Sequence, residues 1–248
     1  MSDRAAFYAL APGGWRDYWS LLHPPYTLWH LSYVVLGAAT ADVIEIRWLL
    51  ETLAAFFLAM GIAAHALDEL NGRPLRTRIP APVLVTLAIL GLAGAAALGV
   101  HGMVEVSPWI GSFIVVGVFL VVAYNLELAG GRFHSDLWFA VAWGAFPALT
   151  AAFAQTARVT PAAALVAAGC VALSAAQRTL STPVRMLRRD AVEVTGRIER
   201  RDGTSMGIDA DTLRRPSELA LRLLSVAVPL VAAGALVARL VPLQAPGD

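Results

Sequence analysis

Apolar residues in this chain fall into long runs separated by short polar breaks. A helix of about 20 apolar residues crosses roughly 30 Å of hydrocarbon while satisfying its own backbone hydrogen bonds, so each run is measured against that length. Seven runs qualify, at about residues 26–44, 48–67, 81–101, 108–128, 136–156, 161–179 and 217–240. Pro80 and Pro82, Pro108, Pro161 and Pro216 stand at or just before the starts of the third, fourth, sixth and seventh, where a missing amide hydrogen costs least. The expected fold class is all-α, a polytopic transmembrane helix bundle of about seven spans. The chain then divides into an N-terminal segment (1–25), a six-span core (26–179), a polar excursion (180–216) and a last span with a short tail (217–248).

Composition strengthens this expectation. Hydrophobic residues make up 58% of the chain and charged residues 15%, with a mean hydropathy of +0.64. Soluble domains carry about 25% charged residues, and one could not hide this much apolar surface. The net charge of +1, with no basic run interleaved with aromatics, argues against a nucleic-acid partner. The single Cys170 can form no intramolecular disulfide and reads as a small packing residue. Residues 1–25 lack an apolar stretch with a small-residue cleavage site, so the first span is expected to serve as the insertion signal.

Charge also gives a direction, because Lys and Arg concentrate in cytoplasmic loops. With the N-terminus inside, the inner segments hold Arg4, Arg16, Arg73, Arg76, Arg78, Arg132 and the group from Arg178 to Arg215, while the outer ones hold Arg47, Arg158 and Arg239. The expected location is a bacterial plasma membrane with the N-terminus cytoplasmic. Within 180–216, Leu180, Val184, Leu187, Val192 and Val194 give partial amphipathic character. The segment reads equally as a helix lying on the inner leaflet or as a solvated linker, with a turn at Gly203 and Gly207.

Ionisable groups at span ends are costly and mark candidate chemistry. The second span ends in Ala64-His65-Ala66-Leu67-Asp68-Glu69-Leu70-Asn71-Gly72-Arg73-Pro74-Leu75-Arg76. His65 and Asp68 share a helix face, a pairing that can hold a divalent metal or exchange a proton. On the same side, the fourth span ends Tyr124-Asn125-Leu126-Glu127 and the fifth begins Arg132-Phe133-His134-Ser135-Asp136. The sixth leaves as Gln177-Arg178-Thr179-Leu180-Ser181-Thr182-Pro183-Val184-Arg185, where two arginines can grip a phosphate. Competing readings are surface salt bridges for Asp68 and Glu69, interfacial aromatics around Tyr124, and simple anchoring of a helix end to lipid headgroups by the arginines. His23 and His30 read as interfacial, and His101 falls on the outer side. No phosphate-binding loop, nucleophile elbow or HExxH pair is present.

This layout resembles the UbiA superfamily of intramembrane prenyltransferases, whose two Asp-rich motifs follow the second and sixth spans. Ala64-His65-x-x-Asp68-x-x-x-Gly72, before Arg73-Pro74-Leu75-Arg76, aligns with the first motif, with Asp68 on an acidic position and His65 where the first Asp would stand. His23-Pro24-Pro25-Tyr26-Thr27-Leu28 resembles the family's opening R-P-x-T-L, Tyr124 the Tyr closing its fourth span, and Asp136-Leu137 the start of its fifth. The second motif departs, since Gln177 to Arg189 contains no carboxylate. The resemblance implies a transferase or lyase acting on an isoprenoid or lipid diphosphate, a membrane-lipid substrate and Mg²⁺ as cofactor. It implies Asp68, His65, Tyr124 and Asp136 as catalytic residues, Asp68 and Glu69 as metal ligands, and Arg73, Arg76, Asn125, Arg178 and Arg185 as substrate-binding residues. Two other functions stay open. One is a non-enzymatic scaffold or lipid-binding protein that kept the fold. The other is a metal-dependent membrane enzyme of a different class using His65, Asp68, Glu127, His134 and Asp136.

Overall fold

A computed structural model of the chain describes residues 4–241. Each of the seven apolar runs forms a helix. After a short α1 (Trp15–Leu21) come α2 (Pro24–Ala38), α3 (Ile46–Leu70), α4 (Ala81–Glu105), α5 (Ile110–Asn125), α6 (Asp136–Thr156), α7 (Pro161–Arg189) and α8 (Ala210–Leu240). Five of these, α3, α4, α6, α7 and α8, are long and apolar enough to cross a membrane. The other two are shorter, α2 with 15 residues and α5 with 16. The result is an all-helical bundle with one small exposed hairpin.

That hairpin lies in the 180–216 excursion, which holds no separate amphipathic helix. Instead α7 continues to Arg189, through Pro183, and β1 (Gly196–Glu199) then pairs antiparallel with β2 (Ser205–Ile208), opposing Ile198 to Met206. The tight turn between them uses Gly203 at φ 81°, a conformation that suits glycine. Helix α8 begins at once, its first turn capped by Asp209, whose carboxylate accepts from the Thr212 amide at 2.7 Å.

The helices meet closely because small residues line their contacts. Gly37 on α2 lies so near α6 that a Cβ there would stand 2.0 Å from the Ala148 carbonyl oxygen. A Cβ at Gly144 on α6 would stand 2.6 Å from the Cys170 carbonyl on α7. Between these contacts the fully buried Trp29 and Tyr33 fill the interior. Their polar atoms are partnered: Trp29 Nε1–H donates to the Tyr33 hydroxyl at 2.5 Å, and Ser174 Oγ reaches it at 3.4 Å. Two π-helical stretches, Phe57–Ala64 in α3 and Val141–Ala145 in α6, interrupt the regular ladder. Such bulges rotate the residues that follow them and recur at functional sites.

Close packing at Gly37 carries a direct expectation. Gly37→Ala forces α2 away from α6, and overpacking of this kind costs about 1–3 kcal/mol. Thermal unfolding in detergent should show a lowered midpoint, and an unchanged midpoint would contradict the described α2–α6 contact.

Candidate functional site at the arginine-rich end

The loop after α3 folds around a buried anion of its own. Glu69 is fully buried, and its carboxylate accepts from the amides of Leu75 (3.0 Å) and Thr77 (2.8 Å) and from the Thr77 hydroxyl (2.8 Å). Asp17 on α1 holds the same loop from outside, accepting from the Arg78 amide at 3.0 Å. Arg73 donates to the carbonyls of Ile79 (2.6 Å) and Thr77 (3.4 Å), and Arg76 is exposed. Glu69, expected as a metal ligand, and Arg73, expected to grip substrate, thus both brace the loop in this structure. Asn125 is likewise structural: it donates to the Val121 carbonyl at 2.7 Å, and its own carbonyl accepts from Asn71 at 3.2 Å.

One residue earlier on α3 the picture changes. Adjacent helical residues diverge by about 100°, so Asp68 faces the bundle interior while Glu69 faces the loop. Asp68 lies within electrostatic reach of Arg189, His134 and Arg185. His65, three residues before it, stacks on His23 with ring centroids 4.1 Å apart. Its Nδ1 approaches the Gly61 carbonyl at 3.1 Å. A carbonyl can only accept, so this nitrogen carries the proton and Nε2 keeps a lone pair. The same argument applies to His23, whose Nδ1 donates to the Leu21 carbonyl at 2.8 Å, and to His134, whose Nδ1 donates to the Tyr124 carbonyl at 3.0 Å.

His23 adopts a left-handed backbone, φ 47°, ahead of two prolines. A non-glycine residue there is strained by roughly 1–3 kcal/mol and persists where its surroundings hold it. Here they are the His65 stack, the Leu21 carbonyl and the Tyr8 ring, 5.2 Å away. Burial, and then the neighbouring His65, push the His23 imidazole well below its ordinary range. Burial, then Tyr26, push the Tyr8 phenol well above its own. Both groups are therefore neutral at physiological pH, one an acceptor at Nε2 and the other a hydroxyl donor.

Helix α7 supplies the cations. Arg178, Arg185 and Arg189 follow one another at spacings of seven and four, which align them along one stripe. Arg178 pairs with Asp136 at 2.6 Å and lies over the Phe139 ring at 5.6 Å. Arg185 reaches only the Thr182 hydroxyl (3.2 Å), and Arg189 only the Ala5 carbonyl (3.4 Å), among the described residues. Two half-buried guanidiniums thus face the single carboxylate of Asp68, with positive charge left over.

Tyr124 completes the arrangement. Its ring stacks on His134 at 4.4 Å, lies 5.2 Å from Trp143, and is in electrostatic reach of Arg178, Arg185, Asp68 and Asp136. The Tyr124 hydroxyl and the Gln177 side-chain carbonyl are buried without a hydrogen-bond partner among the described residues. Such groups cost about 1–3 kcal/mol each when left unpaired. A ligand that hydrogen-bonds them removes that cost.

The structure therefore gathers His65, Asp68, Tyr124, Asp136, Arg178 and Arg185 at one end of the bundle and leaves Glu69, Arg73, Arg76 and Asn125 outside. It adds Tyr8, His23, Tyr26 and Arg189, which sequence reasoning did not single out as site residues. Arg189 had a signal in its spacing of four from Arg185, and His23 and Tyr26 in the His23–Leu28 stretch that resembles the family's opening motif. Among the described residues no three His, Cys, Asp or Glu side chains come together as a metal-ligand group. The donor set does not fit the two-metal arrangement implied by the UbiA resemblance, because arginines stand where the second set of carboxylates would be. Comparison with protein-family models, with curated proteins and with solved structures gave no match.

The neutral, buried His23 has a consequence for stability. Its folded pKa is depressed below the unfolded value of about 6.5, so the unfolded chain binds the proton first as the solution acidifies. The stabilising contribution is present above that value and is lost as pH falls through the folded pKa. Unfolding followed from pH 8 down to 4 should show that His23→Gln loses less stability than the parent. Identical slopes would contradict the burial of a neutral imidazole.

Proposed function

We propose that this protein is an intramembrane enzyme of UbiA-like layout, a transferase or lyase acting on an isoprenoid or other lipid diphosphate. The observation that carries the reading is the pair of half-buried guanidiniums, Arg185 and Arg189, which have no carboxylate partner among the described residues, beside a Tyr124 hydroxyl likewise unpartnered among them. Guanidinium forks match phosphoryl oxygens bidentately, and such bonds strengthen where water is excluded. An apolar crevice with a cavity volume of about 100 Å³ adjoins the site, lined by Phe56, Leu92, Phe113, Val121 and Trp143 among others. Since Trp143 also contacts Tyr124, an apolar chain in this crevice would present its headgroup to the arginines.

In this reading the carbon–oxygen bond to the diphosphate breaks heterolytically. The electron pair leaves with the diphosphate, whose added charge Arg185, Arg189 and the Tyr124 hydroxyl stabilise. His65, with its lone pair free at Nε2, accepts the proton lost either from the carbon next to the cation, giving an alkene, or from the attacking acceptor. Asp136 positions Arg178. Asp68 balances the cations. The reading includes seven spans, an N-terminus on the cytoplasmic side and residence in a bacterial plasma membrane, consistent with the one-sided arginines.

A second reading, a lipid-binding protein without turnover, is favoured by the missing second set of carboxylates. Purified protein incubated with prenyl diphosphates of graded chain length, with and without Mg²⁺, separates the two. The enzyme reading expects diphosphate release at some chain length, reduced about 100-fold or more in Arg185→Gln. Binding without release selects the lipid-binding protein. Neither binding nor release at any length overturns both.

A further inference from the structure

Residues 4–10 form a strap without regular secondary structure that lies against the site. Phe7 and Tyr8 both pack on the Tyr26 ring, at 6.0 and 5.4 Å, and Tyr8 also meets His23. The hydroxyl-bearing side of the strap is thus turned towards Arg185, Arg189 and Asp68, all within electrostatic reach of Tyr8.

The strap is fastened from outside the site by a chain of charges. Glu218 on α8 is buried and accepts from Arg188 (2.7 Å), Arg214 (2.7 Å) and Arg222 (2.7 Å). Arg188 also donates to the Arg4 carbonyl at 3.1 Å, and the Arg222 guanidinium lies 5.1 Å over the Phe7 ring. The far end is held at one point, where the Leu10 amide donates to Ser20 Oγ at 2.9 Å. Between these fastenings, the Ala5 carbonyl takes a long 3.4 Å bond from Arg189, the same guanidinium that faces Asp68. The strap's own backbone adds one turn, Ala9 to Ala6 at 3.2 Å. A segment held by side chains and single hydrogen bonds opens at far lower cost than a helix.

We propose that Arg4–Leu10 is a lid over the arginine site, opening to admit an anionic headgroup and closing on it with the Tyr8 hydroxyl as an added donor. The proposal rests on the reading of Arg185 and Arg189 as an anion-binding pair. Phe7 under Arg222 is the latch, and Arg189 couples the two states because it serves both the strap carbonyl and the anion. Ordering of a loosely held loop over a charged ligand excludes water and strengthens each remaining contact.

Inorganic diphosphate and geranyl diphosphate are the probes, with the full chain in nanodiscs. Binding constants and rates are measured for the parent, Tyr8→Phe, Phe7→Ala and Arg185→Gln, each checked for an unchanged elution profile. A spin label on Arg4→Cys reports strap mobility, the buried Cys170 being inaccessible to labelling. Tyr8→Phe should weaken binding about tenfold through slower capture or faster release. Phe7→Ala should speed both association and dissociation about fivefold. The label should lose mobility when either diphosphate is added. If the parent binds and Arg185→Gln does not, yet both strap variants match the parent and the label is unmoved, the lid is overturned and the site stands. If the parent binds neither probe, the site reading fails and the lid falls with it.

Discussion

The rotation of α7 about its own axis is the constraint on which the polar end depends, and the buried pair of Arg188 with Glu218 sets it. Both side chains are almost wholly enclosed, at 8% and 7% exposure. A charge removed from water is tolerated only when paired, and deleting one partner of such a pair costs about 3–5 kcal/mol. Arg188 must therefore face α8. Helical periodicity then turns Arg178, Arg185 and Arg189 towards the bundle interior and the ends of α3, α5 and α6. Four arginines on one helix end are divided between a structural hub and a cluster with charge to spare.

The carboxylates divide in the same way. Glu69 gives its oxygens to a loop that has no helix or sheet to satisfy its amides, and that loop in turn closes the end of α3. Asp68, one residue away, has no ion-pair partner among the described residues and stands beside the surplus cations. Structural and chemical roles are thus separated by a single step along a helix. Lower in the bundle, glycine and alanine let α2, α6 and α7 approach each other, whereas larger aromatics elsewhere leave the apolar crevice that meets the site at Trp143.

Much of the fold was legible from run length alone, since backbone hydrogen bonding in hydrocarbon leaves helices as the economical solution, and every apolar run became one. Legible too was the shared side of His65, Asp68, Tyr124, Asp136, Arg178 and Arg185, because span ends on one face must lie near one another. What the pattern could not reveal depends on direction and on distant contacts. Neighbours such as Asp68 and Glu69 look alike in sequence, and the phase of the helix end decides between them. Arg73 resembles a substrate ligand until its bonds to loop carbonyls are seen. His23 and Tyr8 precede the first apolar run and carry no periodic signal, so only folding of the N-terminal segment back onto α2 brings them in. The hairpin at 196–208 replaced an expected interfacial helix or linker because Gly203 allows a tight reversal where apolar residues are too sparse for a helix face.

We propose that the arginines at this end of the bundle neutralise a lipid-borne anion. Native mass spectrometry of the protein released from nanodiscs containing a phosphorylated isoprenoid and an excess of zwitterionic phospholipid tests this most directly. One phosphorylated lipid retained per chain is expected, lost when Arg185 and Arg189 are both changed to Gln and weakened by Tyr124→Phe. Equal retention of the zwitterionic lipid, or retention unaffected by the double change, would contradict it.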